Sequence, residues 1–343
     1  MKTKISPLDE EAGKRAKERW DSIAKPLGSL GDFEDIIIKI AKIRHTENIR
    51  LKDRCVIVMC ADNGVVCEGV TQTDSSVTAV CTDEIVRGNS SVNIIAKYAN
   101  ASVLAVDMGV IGKTAACDRK IANGTANMAV GAAMTRGDAE KAVMTGIEIM
   151  REQKRSGTDI VVTGEMGIGN TTTSSAVSSV FLGLPPSSVT GRGAGLDDER
   201  LAHKIDVIER AIKINRPDPG DPIDVLAKVG GFDIAGMTGL FLGGAECGIP
   251  VVIDGVISAA AALAAVRIEP DCSRYMLASH VSAEPVGKML LDAIGVKPVI
   301  TAGMRLGEGT GGLMLLPLLD CALGVYNEAH TFDGISIERY RPL

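Results

Sequence analysis

Long hydrophobic runs are missing from this chain. The longest, "VISAAAALAAV" at 256–266, is too short and too alanine-rich to span a bilayer and reads as a buried helix, so no membrane span is expected. The opening stretch "MKTKISPLDEEAGKRAKERW" carries charge throughout and lacks the apolar core of a secretion signal, which points to a cytoplasmic location. Aromatic residues are scarce as well, at 3% against 45% hydrophobic residues overall. Packing must rely on Ala, Val, Ile, Leu and Met, an economy that suits helices pressed closely onto a sheet. A basic stripe is also absent. The formal net charge of −6 is spread along the chain, without the cationic surface that a phosphate backbone requires, so nucleic acid is not an expected partner.

Several catalytic machineries are missing too. The eight cysteines, at 55, 60, 67, 81, 117, 247, 272 and 321, form no C-x-x-C pair, and several lie in apolar runs such as "CVIVMC". Buried free thiols in a reducing compartment are expected rather than a disulfide or zinc framework. There is no G-x-S-x-G elbow and no H-E-x-x-H, and the four histidines, 45, 203, 280 and 330, do not cluster with carboxylates. A serine triad and a metal site both fall away. Transferases acting on diphosphate sugars carry two adjacent acids after an apolar strand, whereas "VVIDGVIS" offers only Asp254, and "GLDDER" has two acids without the strand. Any ribosyl donor is therefore expected to lack a magnesium-bound diphosphate.

What is present is a repeated design. "CVIVMCA" (55–61), "SVLAVDMGV" (102–110), "DIVVTGEMG" (159–167) and "IPVVIDGV" (249–256) are apolar runs that end in polar or glycine-rich turns, each followed by a helical pattern. Continuous apolar strands alternating with helices predict a doubly wound, mainly parallel α/β sheet covered on both faces. Ligands in such sheets bind beyond the carboxyl ends of the strands. Asp62-Asn63-Gly64, Asp107-Met108-Gly109, Gly164-Glu165-Met166-Gly167 and Asp254-Gly255 fall there. Ahead of the first strand, residues 8–24 and "DFEDIIIKIAKIR" read as two helices broken by "KPLGSLG" (25–31). "NRPDPGDP" (215–222) reads as a surface connection between helices.

Four loops carry the chemistry. "GEMGIGNTTTSSA" (164–176) has the glycine spacing of a triphosphate loop, but Asn170 stands where the lysine belongs. Asn170 to Thr173 are expected to cap a helix whose N–H groups and dipole suit a single phosphate monoester, the alternative being a tight turn with no ligand. "GRGAGLDDERLAHK" (191–204) offers Lys204 as the missing charge, although Arg192, Arg200 and Lys204 taken alone read as solvated surface residues. "ASHVSAEP" (278–285) supplies Ser279, His280 and Ser282 as donors to a phosphate or ribose, or else begins a capped helix. In "RLGEGTGG" (305–312), Glu308 stands between glycines that allow a planar ligand to approach, and a desolvated carboxylate there is suited to accepting a proton.

Taken together, "KPLGSLG", "ADNGV", "GEMGIGNTTTSSA", "GRGAGLDDERLAHK", "GGFDIAGMTGLFLGGA", "VIDGVISAAAALAA", "ASHVSAEPVGKMLL" and "RLGEGTGGLMLLPLLDCA", in order from about residue 20 to residue 325, resemble the nicotinate-nucleotide–dimethylbenzimidazole phosphoribosyltransferase family. The resemblance implies a homodimer with a Rossmann-like domain of about residues 51–314 and a small helical domain built from residues 1–50 and about 315–343. It implies transfer of 5-phosphoribose from nicotinate mononucleotide to an aromatic lower-ligand base, without metal or cofactor. Glu308 and Glu165 would be the catalytic residues, Glu308 as general base. Gly167, Asn170, Thr171, Lys204, Gly255, Ser282 and Arg305 would contact the donor, and Asp62, Thr71, Thr73, Met166 and Leu306 would line the acceptor pocket.

Departures from the family fall on the acceptor side. Asp-His-Gly is common where this chain has Asp62-Asn63-Gly64, and a serine with a nearby aromatic and proline where it reads "VTQTDSSVT" (70–78). The acceptor thus stays open among dimethylbenzimidazole, another benzimidazole, a purine or a phenolic. A nucleoside phosphorylase or hydrolase, and a silent nucleotide-binding regulator, are the competing readings.

Overall fold

The computed structural model describes residues 4–340. The chain opens with two helices, α1 (Glu10–Ser22) and α2 (Asp32–Arg44), and then enters strand β1 (Arg54–Ala61). Helices α3 (Ser76–Arg87) and α4 (Ser91–Tyr98) lead to β2 (Ser102–Gly109) and the two-residue β3 (Cys117–Asp118). Helix α5 (Arg136–Arg155) precedes β4 (Ile160–Met166), which is followed by α6 (Asn170–Leu182), the short α7 (Pro186–Val189), α8 (Asp198–Asn215), α9 (Pro222–Val229) and α10 (Phe232–Cys247). The last strands, β5 (Val251–Ile253) and β6 (Met276–Ala278), flank α11 (Val256–Ile268), and α12 (Gly287–Ile294) and α13 (Thr310–Glu328) complete the order.

The six strands are all parallel and run β3-β2-β1-β4-β5-β6 across the sheet. This is the doubly wound order, whose topological switch point lies between β1 and β4. Strand β1 is buried along its whole length. Its alternate residues feed two cores: Ile57 and Met59 join α5, α10 and α11 on one face, while Val56, Val58 and Cys60 join α1, α2, α4 and α13 on the other. A continuous apolar run, rather than an alternating one, is the signature of burial on both sides.

The scarcity of large side chains shows where α5 crosses α10. A Cβ on Gly239 would lie 2.0 Å from the Val143 carbonyl oxygen, so the two backbones touch directly. On the opposite face, α13 buries Leu313, Leu315, Leu316 and Leu319. Each such leucine contributes roughly 1.5–3 kcal/mol of apolar burial.

The structure adds two strands, decides between the alternatives for "ASHVSAEP" and corrects the expectation for the cysteines. The strands β3 and β6 fall in stretches that do not read as strands, and "ASHVSAEP" continues from β6 instead of starting a helix, with His280 bridging to Ile300 and α12 beginning only at Gly287. The cysteines are not uniformly buried. Cys55, Cys60 and Cys272 are, whereas Cys67, Cys117 and Cys321 are exposed, because they lie on helix or loop surfaces and on the edge strand β3; all eight are free thiols.

Candidate active site

A cavity of about 260 Å³ opens beyond the carboxyl ends of β4, β5 and β6. Its walls come from Glu165–Thr171 at the end of β4 and just beyond it, Asp254–Ser258 after β5, His280, Ser282 and Glu284 after β6, the Arg305–Glu308 loop, Val70–Thr73 from the connection after β1, and residues leading into and along α8. Strands on both sides of the switch point therefore supply wall segments, as a doubly wound sheet predicts.

One end of the cavity is built around the start of α6. Gly169, left-handed at φ 92°, is the N-cap. The expectation that Asn170 to Thr173 cap this helix fails, because Asn170 is already the first helical residue and its amide donates to Glu165. Lys204, from α8, reaches the same corner. Only 1% of it is exposed, and its Nζ donates to Thr171 Oγ1 at 2.9 Å and to the Gly191 carbonyl at 3.2 Å. Burial pulls its ammonium down to about 8, against the opposing pull of the Glu284 carboxylate. The charge absent from the glycine loop is thus delivered from 33 residues downstream of Thr171. A helix N-terminus, a hydroxyl and a buried cation together make an anion site. Arg192 lines this end but is exposed, hydrogen-bonding to Leu196 O and Asp198. Arg200, also exposed, does not line it.

Glu308 forms part of another wall. It adopts φ 60° between Gly307 at 85° and Gly309 at 86°, a run of three left-handed residues. A non-glycine residue held there costs roughly 1–3 kcal/mol, and such strain concentrates at functional sites. Its carboxylate is half-buried and accepts the Val92 N–H at 3.3 Å. Burial raises its pKa, opposed by that hydrogen bond. Beneath it, Glu165 is buried, and its pKa is driven well above the carboxylate range by desolvation first and then by the nearby Asp233 and Asp254 charges.

The remaining predicted residues divide. Gly167, Asn170, Thr171, Gly255, Ser282, Arg305, Thr71, Thr73, Met166 and Leu306 all line the cavity. Asp62 does not. Strand β1 kinks in register between Cys60 and Ala61, and the Asp62 carboxylate turns to the other side to accept the Ile111 N–H at 2.7 Å. Asp107 likewise ties down its own loop, through the Val110 N–H and the Thr114 hydroxyl. Ser279 points its hydroxyl at the Ile253 carbonyl, leaving His280 and Ser282 as the wall residues of that segment.

Three further acids or amides at or beneath the cavity were given no role from the sequence. Asp254 accepts the Gly309 and Gly312 N–H groups at 3.1 and 2.8 Å. Asp233 is fully buried with Oδ1 on the Ile234 N–H and Oδ2 unpartnered, and burial pushes it up to about 6. Asn63 receives the Thr173 hydroxyl at 3.2 Å. Asp254 and Asn63 stand at strand ends and were visible as such; nothing local marks Asp233. Among the described residues, no group of three or more His, Cys, Asp or Glu side chains is arranged to hold a metal ion.

The chain matches the model of a phosphoribosyltransferase family over residues 5–337. It is 47% identical over 342 residues to the nicotinate-nucleotide–dimethylbenzimidazole phosphoribosyltransferase of Ruminiclostridium cellulolyticum, covering 99% of this chain and 97% of that protein. The enzyme of the same name from Acetivibrio thermocellus is also 47% identical, over 98% of this chain and 97% of the relative. Among solved structures, the nicotinate-nucleotide-dimethylbenzimidazole phosphoribosyltransferase of Thermus thermophilus superposes with a TM-score of 0.90 at 35% identity, spanning 97% of this chain and all of that one. Sequence, fold and the placement of the glycine loops agree: the chain belongs to the nicotinate-nucleotide–dimethylbenzimidazole phosphoribosyltransferase family.

Proposed function

We propose that the cavity transfers the 5-phosphoribosyl group of nicotinate mononucleotide to a nitrogen of 5,6-dimethylbenzimidazole or a related lower-ligand base. The products are α-ribazole 5′-phosphate, for the nucleotide loop of cobalamin, and nicotinate. The observation that carries this reading is the presence, in one cavity, of a buried ammonium at a helix N-terminus and a half-buried carboxylate held in a strained turn. The first suits a phosphate monoester, and the second suits removal of a proton from a neutral heterocycle.

In this reading Lys204, Thr171 and the start of α6 take the donor phosphate, Gly167, Asn170, Gly255 and Ser282 surround its ribose, and Arg305 at the rim meets the nicotinate carboxylate. The acceptor lies against Thr71, Thr73, Met166 and Leu306. Its unprotonated ring nitrogen attacks C1′ with inversion as the bond from C1′ to the pyridinium nitrogen breaks. The bonding pair neutralises the departing nicotinate ring. Glu308 takes the acceptor's N–H proton, and Glu165 supports the site from below.

The protein acts in this reading as a cytoplasmic homodimer. Helices α4 and α13 pack together and leave Ile94 56%, Tyr98 81%, Met314 43% and Leu318 40% exposed, an apolar surface suited to a second copy. Residues 1–50 with about 315–343 form the small helical domain, of which 1–3 and 341–343 lie outside the described residues, and about 51–314 form the large one.

The test is mass-spectrometric product analysis with nicotinate mononucleotide and a panel of benzimidazoles, purines and phenols, run beside Glu308→Ala. A ribosylated base that disappears with the mutant supports the transferase and names the acceptor. Ribose phosphate with nicotinate and no ribosylated base would replace this reading with a hydrolase.

A further inference from the structure

We infer that Asp254 is a positioning residue for the transfer, holding the Gly307-Glu308-Gly309 turn in the conformation that presents the Glu308 carboxylate to the cavity. The inference rests on the reading of Glu308 as the general base. Helix α13 begins immediately after that turn, and its N-cap, Gly309, has no side chain with which to satisfy the free N–H groups of the first turn. Asp254 does so from the end of β5. It is 4% exposed, with Oδ2 on the Gly309 N–H at 3.1 Å and Oδ1 on the Gly312 N–H at 2.8 Å. A carboxylate at this place is favoured by the helix dipole.

The capping carboxylate is distant in sequence, so the cap ties the turn to the sheet and not merely to itself. The turn is held from the other side as well. Gly307 leaves no room for a Cβ beside the Glu165 carboxylate, and Gly164 lies so close that a Cβ there would stand 2.5 Å from the Glu308 carbonyl oxygen. Asp254 is in turn secured through its own N–H, which donates to Ser258 Oγ at 3.2 Å, and Ser258 Oγ lies 2.6 Å from Thr163 Oγ1 on β4. Three successive left-handed residues are a conformation that a free loop gives up readily. Here each anchor fastens it to a strand, and Asp254 supplies two of the hydrogen bonds. The Asp254 oxygens accept the N–H groups of the N-cap and first turn of α13, and although Asp254 stands in the cavity wall it is 4% exposed, so its influence on the reaction passes through Glu308.

The experiment compares Glu308→Gln, Asp254→Asn, Ser258→Ala and the Asp254→Asn/Glu308→Gln double variant, measuring kcat and donor KM at saturating acceptor and donor Kd by calorimetry. Displacing a base by about 1 Å costs on the order of 10²-fold. Asp254→Asn is therefore expected to lower kcat about 10²-fold, with donor KM and Kd within about threefold of the parent. The double variant should fall within about threefold of Glu308→Gln alone, because two residues acting as one unit are not additive. If Asp254→Asn does not fold, Ser258→Ala carries the test: it removes the hydrogen bonds to the Asp254 N–H and to Thr163 and should lower kcat roughly three- to tenfold with donor KM unchanged. An inactive Glu308→Gln beside full kcat in Asp254→Asn, or in Ser258→Ala where that variant stands in, would overturn the positioning role and leave the base in place. A raised donor KM with unchanged kcat, or additive losses in the double variant, would make Asp254 a direct donor contact and also overturn it. An active Glu308→Gln would remove the base reading itself.

Discussion

The two ends of the cavity are made of different material. The end assigned to the donor is built from a helix terminus, a lysine 1% exposed on α8 and buried acids at strand ends. The end assigned to the acceptor is built from Val70–Thr73 and Leu306, where Gln72 and Thr73 are exposed and Leu306 is 57% exposed. Rigid elements hold charged groups to tight tolerances, whereas exposed loops change at little cost to the fold. One departure from the family pattern, at 70–78, lies in this second material, whereas the other, Asn63, is buried and receives the Thr173 hydroxyl. One scaffold can thus keep a fixed donor while its acceptor drifts.

The sharpest test of that contrast is at Glu308, which in the proposed reaction serves both ends. Glu308→Gln should reduce kcat by about 10²–10⁴ with every acceptor, measured at steady state, since general-base contributions have that size. A loss confined to some acceptors would break the symmetry of the argument. At the donor end, Lys204→Met should lower kcat/KM for nicotinate mononucleotide by roughly 30- to 150-fold, equally for all bases, the value of a charge-assisted hydrogen bond of about 2–3 kcal/mol.

The pH profile distinguishes the ends without mutation. Activity should fall on the acid side as Glu308 gains a proton, at a pH above that of an ordinary glutamate because burial raises it. Donor kcat/KM should fall on the alkaline side near pH 8, where Lys204 loses its charge, and Lys204→Met should abolish that limb alone. Smaller effects belong to the loop. Thr71→Val and Thr73→Val should reorder acceptors by up to about tenfold, roughly one hydrogen bond's worth, with donor KM unchanged in the same assays.

The smallest effect concerns stability. Asp233 is pushed up to about 6 from 3.8, chiefly by burial, so the folded state holds its proton more tightly than the unfolded chain does. Stability is therefore lost as pH rises from about 4 to 6, and the penalty is complete above that window. Asp233→Asn should stabilise the protein by about 1–3 kcal/mol at pH 8, with the gain fading below pH 6, as read by denaturant melts. Substitutions at Thr71 or Thr73 should stay within about 0.5 kcal/mol in the same melts.

How much of this was legible in the sequence depended on whether the signal was local. Strands β1, β2, β4 and β5 announce themselves as β-branched runs, but β3 and β6 have two and three residues and no room for a pattern. The glycine loops marked the cavity because close backbone approach demands glycine. Lys204 was recognisable as a cation of the right reach, yet its burial follows from Gly191 and Thr171, which the fold brings together. Asp62 misled because its strand ends in an irregularity that turns the side chain away. Asp254 stood in view at the end of a strand, and its purpose became readable only with the Gly309 and Gly312 amides beside it.

Helix α13 is a rod of roughly 28 Å, from its 19 residues at 1.5 Å each. One tip carries the Glu308 turn. The other is gripped by the beginning of the chain: Trp20 meets Tyr326 edge-on with centroids 5.0 Å apart, Arg19 donates to the Tyr326 carbonyl at 3.1 Å, and the Tyr326 hydroxyl reaches Glu47 O at 2.9 Å. A rotation of about 2° at that grip swings the far tip by about 1 Å over such a length, the displacement at which a base loses its aim. The first helix contributes no residue to the active-site cavity, yet it stands at the fulcrum of a lever whose far tip is the Glu308 turn.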